Sequence, residues 1–175
     1  MSNRVKQFVA AVSAQINARD RVYVERFLQP EQQRLFWRMN LPEQRHALDV
    51  AYTAERLADG REGIDHNALI QAALLHDVGK RRGDISIADK VLTVVADACC
   101  PRIARRLSRE GRGNKLSNLR HAMYVYYRHA ERGAAMLAAC GADSRLIDWV
   151  RRHHEPPSCS DPVELELLKA ADNLH

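Results

Sequence analysis

The residues with the clearest capacity for chemistry are a fused histidine–aspartate pair near the middle of the chain. His76-Asp77 ends an apolar run and is followed closely by Gly79 and Lys80. Adjacent side chains of a helix point about 100° apart, so such a pair rarely serves one ordinary salt bridge. A neutral imidazole and a carboxylate from neighbouring positions do suit a single metal centre. The pair therefore predicts a metal site.

Further histidines and a late aspartate decide whether this pair belongs to a larger site. In chain order the candidate residues are His46, His76, Asp77, Lys80, His129, His153, His154 and Asp172. Each histidine alone is typical of a hydrogen-bonded core or surface residue. The joint pattern contains two adjacent pairs, and its last carboxylate follows an otherwise apolar segment. This combination favours one shared site over separate structural roles.

The bulk composition limits the class of protein. A chain of 175 residues suits one domain with a real core, and its net charge of +5, carried mostly by arginine, favours anionic partners. Because the arginines are spread along the chain, binding to nucleic acid is the less favoured interpretation. No stretch approaches the roughly 20 apolar residues of a membrane span, and no signal-peptide block is present. We therefore expect a cytoplasmic protein with reduced cysteines.

Nearly every long segment has the apolar spacing of a helix, and no alternating strand pattern of useful length is present. We predict an all-α fold, a single compact helical bundle. N-terminal helices over residues 1–40 are expected to pack on a core unit over residues 41–175. The first of these helices is indicated by apolar residues at helical spacing, namely Val5, Phe8, Val9, Val12 and Ile16.

The helices of the core unit must position the candidate site. His46 is predicted on a helix from Leu41 to Ala58, and His76-Asp77 near the end of a helix over residues 65–78 with Gly79 as its breaker. Two separate helices are expected around His129, and further helices before and after the loop that follows His154. The predicted ranges are 87–100, 101–110, 117–127, 130–140, 144–154 and 162–175.

These motifs resemble the HD-domain metal-dependent phosphohydrolases, the His…His-Asp…Asp superfamily, over roughly residues 42–172. The resemblance rests on Leu-Leu-His-Asp-x-Gly-Lys at 74–80 and on two later histidine motifs at 128–133 and 153–155. It implies an HD-domain bundle at 41–175 and a minimal set of metal ligands: His46, His76, Asp77 and Asp172. Relatives with the extra histidines bind a second metal ion, which implies ligands at His129, His153 and His154.

The chemistry of these residues agrees with that resemblance. Five imidazoles and two carboxylates suit two divalent ions about 3.5–4 Å apart, joined by a carboxylate and a water. Asp77 is the best bridge, because a carboxylate can offer one oxygen to each ion. A bridging hydroxide, ionised near neutral pH, could then attack phosphorus in line. Nitrogen and oxygen ligands without thiolate favour iron or manganese over a structural zinc.

Basic side chains near the predicted ligands could bind substrate. The resemblance implies that Lys80 acts at the substrate phosphate, as a neutralising charge or a proton donor. Arg128 and Arg132 flank His129 and could reach a phosphate, although a solvated arginine is an equal alternative. Histidines outside the pattern are expected not to be ligands: His66, His121 and His175, the last being unconstrained. Asp49, three residues after His46, is a candidate acceptor for a ligand N–H.

The expected substrate class follows from a segment in which this sequence differs from one subgroup of the family. The subgroup that cleaves cyclic di-GMP follows its second histidine pair with Asp-Gly-x-Gly-Tyr-Pro, whereas this chain has a proline-rich loop at 156–161. A compact family that hydrolyses diadenosine tetraphosphate lacks that segment. We therefore expect a nucleoside or dinucleoside polyphosphate as substrate. The alternatives are a cyclic-dinucleotide phosphodiesterase and a non-catalytic signalling module.

Two further features remain open. A basic stripe on one predicted helix is either a solvated face or a clamp for an extended polyphosphate: Arg102, Arg105, Arg106 and Arg109. Asp172 lies three residues from the end of the sequence, where related domains continue their helix and where a terminal turn tends to fray. Either the sequence is trimmed there or a partner chain, as in a homodimer, supports that end.

Overall fold

The computed structural model of the protein describes residues 15–175, and this part of the chain is helical with no β-strand. The all-α prediction is therefore confirmed. Residues 1–14 of the first predicted helix lie outside the described range. The helices are α1 (Ala18–Phe27), α2 (Pro30–Trp37), α3 (Leu41–Ala58), α4 (His66–Leu75), α5 (Ile87–Cys99), α6 (Pro101–Leu107), α7 (Lys115–Ala139), α8 (Ser144–Arg152) and α9 (Val163–Asn173). No helix of the described residues is long and apolar enough to cross a membrane.

The core lies where α3, α4 and α9 meet. The central segment α4 is apolar over most of its surface, because it contacts α3, α9, α8 and the two N-terminal helices. Leu69, Leu74 and Leu75 are fully buried in it, and Leu48 and Leu168 meet them from α3 and α9. Because neighbouring helices pack around α4, the position of its C-terminal end is fixed. The residues that directly follow α4 are therefore well positioned for a site.

The helices α1 and α2 pack on the same core, and a buried carboxylate attaches α1 to α3. Asp20 accepts hydrogen bonds from the Asn17 backbone at 2.9 Å, the Tyr52 hydroxyl at 2.9 Å and the Arg45 guanidinium at 3.0 Å. Burial alone raises the pKa of Asp20, but these donors outweigh it and lower the pKa below its ordinary value. Ionised Asp20 thus joins the N-terminal helices to the rest of the bundle.

Asp20→Asn is expected to lower the free energy of unfolding at pH 7 by about 1–3 kcal/mol, because charge-assisted hydrogen bonds contribute on that scale. The folded-state pKa is depressed, so this stability is present above the unfolded-state pKa and is lost as the pH falls through the folded-state value. Urea unfolding at pH 7 and at progressively more acidic pH checks this, with the exposed Asp59→Asn as control. An undiminished difference between wild type and Asp20→Asn in strong acid would contradict it.

Helix boundaries differ from the sequence-based expectation at three places. Helix α4 ends at Leu75 rather than at residue 78, and residues 76–79 form a turn. The regions 117–127 and 130–140 belong to one continuous helix, α7, since no proline interrupts them. Gly133 lies within this helix, where the absence of a side chain allows close packing against Val150. The basic helix α6 ends at Leu107 rather than at residue 110. Ser108, which follows it, has an extended backbone, and its hydroxyl donates to Arg105 O at 2.6 Å.

Candidate metal centre

All seven predicted metal ligands come together on one side of the α4 end. They are supplied by α3 and α9, by the turn after α4, by the middle of α7 and by the turn after α8. The residues are His46, His76, Asp77, His129, His153, His154 and Asp172. The structure thus brings side chains from five segments together, and their role as metal ligands stays a prediction.

One cluster joins α3, α9 and the turn after α4. The side chains of His46, His76 and Asp172 offer ligand atoms that all lie within 4.8 Å of one another. His46 Nε2 is 3.0 Å from Asp172 Oδ1, and His76 Nε2 is 3.5 Å from the same oxygen. Three potential ligands from three segments therefore converge on a space of the size that one ion needs.

A second cluster joins the same turn with α7 and α8. Asp77, His129, His153 and His154 also offer atoms within 4.8 Å of one another. The Nε2 atoms of His129 and His154 are 2.8 Å apart, and His129 Nε2 is 3.3 Å from Asp77 Oδ1. The downstream histidines thus point toward the His-Asp pair.

Asp77 lies between the two clusters and presents one oxygen to each. Its Oδ1 faces His129, whereas its Oδ2 lies 3.5 Å from His76 Nε2 and 3.9 Å from His46 Nε2. Lys80 Nζ donates to the same Oδ2 at 2.8 Å. This is the placement that a bridging carboxylate requires.

Buried polar atoms without hydrogen-bond partners make the site suitable for divalent metal ions. Three buried atoms of the site make no hydrogen bond within the described chain: His76 Nε2, His153 Nε2 and Asp77 Oδ1. Leaving such atoms buried without a partner is costly, and each carries a lone pair suited to a cation when the imidazoles are neutral. The two clusters therefore have the ligand atoms of a metal centre, and several of these atoms lack another partner.

Backbone carbonyls orient three of the imidazoles. The Nδ1 atoms of His76, His129 and His153 donate to the carbonyl three residues earlier, at 2.8, 2.8 and 2.7 Å. In the neutral ring this leaves the Nε2 lone pair directed at the site. Asp49 Oδ1 lies 2.8 Å from Arg45 Nη2, and its role as an acceptor for a ligand N–H stays a prediction.

The electrostatics of the site keep most imidazoles neutral and the carboxylates charged. Burial and the Lys80 ammonium lower the pKa of His129 to about 3, and burial likewise holds the pKa of His153 well below its ordinary value. Burial also raises the pKa of Asp77, but Lys80 and the imidazoles outweigh it and lower that pKa strongly. Neutral imidazoles beside an ionised carboxylate are the states in which these groups bind metal.

His76 is the exception among the buried imidazoles. Burial lowers its pKa, but the charges of Asp77 and Asp172 outweigh burial and raise the pKa to about 9. Contacts with His46 and His76 likewise lower the pKa of Asp172 against the effect of its burial. The carboxylates therefore favour positive charge at the point where the two clusters meet.

The site is partly open to solvent. His76, Asp77, His129 and His153 are buried, whereas His154 is exposed and the side chains of His46, Asp172 and Lys80 are partly exposed. A small molecule can therefore approach the clusters over His154 and Lys80 without displacing the core.

The predicted substrate-binding arginines occupy the outer part of α7. Arg132 Nη2 donates to Asp84 at 2.8 Å, and Asp84 lies in the loop that follows Lys80. Arg128 is exposed and lies 3.6 Å from Glu131. Both arginines line a cavity of about 560 Å³ on the side of α7 that faces α6.

The other histidines lie outside the two clusters. His66 is exposed at the start of α4. His121 is buried, accepts from Gly111 N at 3.3 Å and lies 3.8 Å from Asp84. The expectation that His175 is unconstrained is wrong, since its Nε2 lies 2.9 Å from the Thr53 hydroxyl.

A buried aspartate that the sequence did not single out holds the loop after the histidine pair. Asp161 accepts from Lys169 Nζ at 2.7 Å and from Ser158 N at 3.1 Å, and it also binds Arg152. Arg152 precedes His153, and Lys169 lies on α9 one turn before Asp172. Asp161 therefore ties together the two segments that bring ligands from α8 and α9. The one sequence signal was a lysine within an otherwise apolar helix.

Comparison with known proteins identifies the family. The sequence model of the HD domain matches residues 44–175, about three quarters of the chain. No curated protein and no solved structure gives a significant match. HD domains generally bind divalent metal ions and act as metal-dependent phosphohydrolases. Since the match includes both clusters and all the segments that form them, the chain belongs to the HD domain family.

Proposed function

We propose that the protein is a phosphohydrolase with a dinuclear metal centre, which cleaves a phosphoester or phosphoanhydride bond of a nucleotide. The observation that carries the proposal is the position of Asp77, with one carboxylate oxygen toward each of two ligand clusters. A non-catalytic HD module has no need of a complete second cluster. The same arrangement is what hydrolysis at phosphorus by two metal ions requires.

The residues divide between two ions. One ion would be held by His46, His76 and Asp172, the other by His129, His153 and His154, and Asp77 would serve both. Divalent ions bound there would supply Lewis-acid activation of a water molecule and neutralise charge on the phosphate. Imidazole and carboxylate ligands without thiolate suit iron or manganese.

Lys80 provides a positively charged side chain at the partly exposed edge of the site. Its ammonium contacts Asp77 and remains partly exposed. In the proposed reaction Lys80 binds a phosphate oxygen and is positioned to donate a proton to the leaving group. Its position does not depend on a longer α4, because the turn at 76–79 brings residue 80 back toward Asp77.

A nucleoside or dinucleoside polyphosphate is the proposed substrate. The loop at 156–161 follows the exposed His154 directly, and it contains two prolines and no glycine. Asp161 anchors its end to Arg152 and Lys169. Such a loop gives little room for backbone contact with a cyclic dinucleotide, whereas the arginines of α7 favour several linked phosphates.

A hydrolysis panel tests the proposal. Anaerobically purified protein is loaded with Fe²⁺ or Mn²⁺ and assayed with diadenosine tetraphosphate, ATP, cyclic di-GMP and an aryl phosphate. We expect kcat/KM for the best polyphosphate to exceed that for cyclic di-GMP at least ~10-fold, as one extra charge-assisted hydrogen bond suffices for that. Chelation should abolish turnover. Efficient cyclic di-GMP cleavage would overturn the substrate, and no turnover of any compound would favour the signalling module.

A further inference from the structure

A basic cavity lies between α6 and α7, outside the two ligand clusters. Four arginines line it, in two pairs with a spacing of four residues, together with Tyr124 and two glutamates. The arginines are Arg105 near the end of α6, Arg109 two residues beyond that end, and Arg128 and Arg132 on α7. Its volume of about 560 Å³ is in the range of sites for small molecules.

Contacts between the two helices hold this cavity in shape. Arg120 of α7 donates from Nε to Leu107 O at 3.0 Å, and Arg109 N donates to Arg120 O at 3.1 Å. The Arg105 guanidinium lies over the Tyr127 ring, 5.1 Å from its centroid. The end of α6 and the segment that follows it are therefore docked on α7, which sets Arg105 and Arg109 opposite the pair on α7.

The charge of the cavity is only partly balanced. Four guanidinium groups face two carboxylates, of which Glu131 lies 3.6 Å from Arg128. Within the described chain, neither Arg105 nor Arg109 makes an ion pair. Arg132 uses Nη2 for Asp84, whereas its buried Nη1 makes no hydrogen bond there. The cavity thus has spare positive charge, and the exposed Arg105 and Arg109 offer donors to an anion.

The cavity is adjacent to the proposed metal centre. Arg132 follows His129 by three residues on α7, so their Cβ atoms are about 5–6 Å apart on the helix surface. Asp84, which binds Arg132, lies four residues after Lys80. A chain of linked phosphates that leaves the metal centre over Lys80 would meet these arginines next.

We propose that this cavity is a subsite for the phosphates of a nucleoside or dinucleoside polyphosphate that extend beyond the one being cleaved. The inference rests on the proposed function and adds a place for the remainder of the substrate. Guanidinium groups bind phosphate oxygens in bidentate geometry, and pairs on opposite walls suit a flexible chain of phosphates. The small extent of the cavity, about 560 Å³, favours this ligand over a nucleic-acid strand, which needs an extended basic groove.

Inorganic tripolyphosphate is the probe, because it has the proposed chemistry and requires no hydrolysis to be read out. Its binding to the metal-chelated full chain is measured by calorimetry at low ionic strength. The test variant is Arg105→Gln with Arg109→Gln. The matched control is Arg102→Gln with Arg106→Gln, which removes the same charge from the same region of the chain at positions that do not line the cavity.

We expect the test variant to bind tripolyphosphate ~10-fold more weakly or worse, since two charge-assisted contacts are lost, and the control to stay within about twofold of wild type. Equal weakening in both variants, or no binding by wild type, would overturn the subsite. Tight binding of single-stranded RNA that tripolyphosphate fails to displace would overturn it in favour of a nucleic-acid surface. Cavity-specific binding in a protein that hydrolyses no nucleotide would support the subsite and reject the proposed function instead.

Discussion

Asp77→Asn is expected to reduce turnover of the best substrate roughly 100-fold or more at saturating metal, because a bridging charge between two ions is lost. The amide keeps the shape of the side chain but has one oxygen and an NH₂ group that donates rather than accepts. Either His129 or His76 would then face a donor at 3.3–3.5 Å in place of an oxygen. The measurement is kcat with titrated metal, together with the metal content of the variant.

The fold should survive this change. The core is built from apolar faces of α3, α4 and α9, and Asp77 lies at its edge. Circular dichroism of the metal-free variant should therefore match that of wild type. The exposed Asp59→Asn serves as the control that keeps full activity. Near-normal turnover by a folded Asp77→Asn protein would show that the bridge is assigned to the wrong residue.

Gly79→Ala is expected to damage both the fold and the site. A Cβ at this position would lie 2.0 Å from the His129 carbonyl oxygen, where real atoms never approach so closely. The clash is with backbone, so either the 76–79 turn or α7 must move, at a cost of ~3 kcal/mol. For a domain of this size that lowers Tm by roughly 6–12 °C. Since His129 and Asp77 move apart, metal affinity should fall too.

Gly113→Ala is the matched control for this prediction. Its new Cβ would meet nothing nearer than Ser117 at 3.9 Å, which is ordinary contact. Differential scanning calorimetry of the two variants should show a large loss for Gly79→Ala and a change within about 0.5 kcal/mol for Gly113→Ala. Similar melting temperatures for Gly79→Ala and wild type would refute the close packing of the turn on α7.

Helices whose ends are marked by nearby prolines or glycines could be predicted from the sequence. The helix of His46 begins and ends as expected, because Pro42 favours a first turn and Gly60 follows its end. The loops at 111–114 and 156–161 were likewise indicated by their glycines and prolines. The two adjacent pairs and the late carboxylate single out the candidate residues, and their assignment as metal ligands is what the resemblance to HD domains implies.

Features that depend on contacts between distant segments could not be predicted. Gly79 was interpreted as a helix breaker, but it also permits the approach of the turn to α7, which no local pattern reveals. Asp161 and Asp84 resemble ordinary loop residues until Arg152, Lys169 and Arg132 are placed around them. The continuity of α7 likewise differs from the two helices that the sequence analysis predicts around His129.

The central claim is that seven side chains bind two metal ions on either side of Asp77. The most direct test is anomalous diffraction from crystals of anaerobically purified protein loaded with Mn²⁺ or Fe²⁺. We expect two anomalous peaks about 3.5–4 Å apart, one beside His46, His76 and Asp172 and the other beside His129, His153 and His154. A single peak at full metal loading, with the downstream histidines uncoordinated, would contradict it.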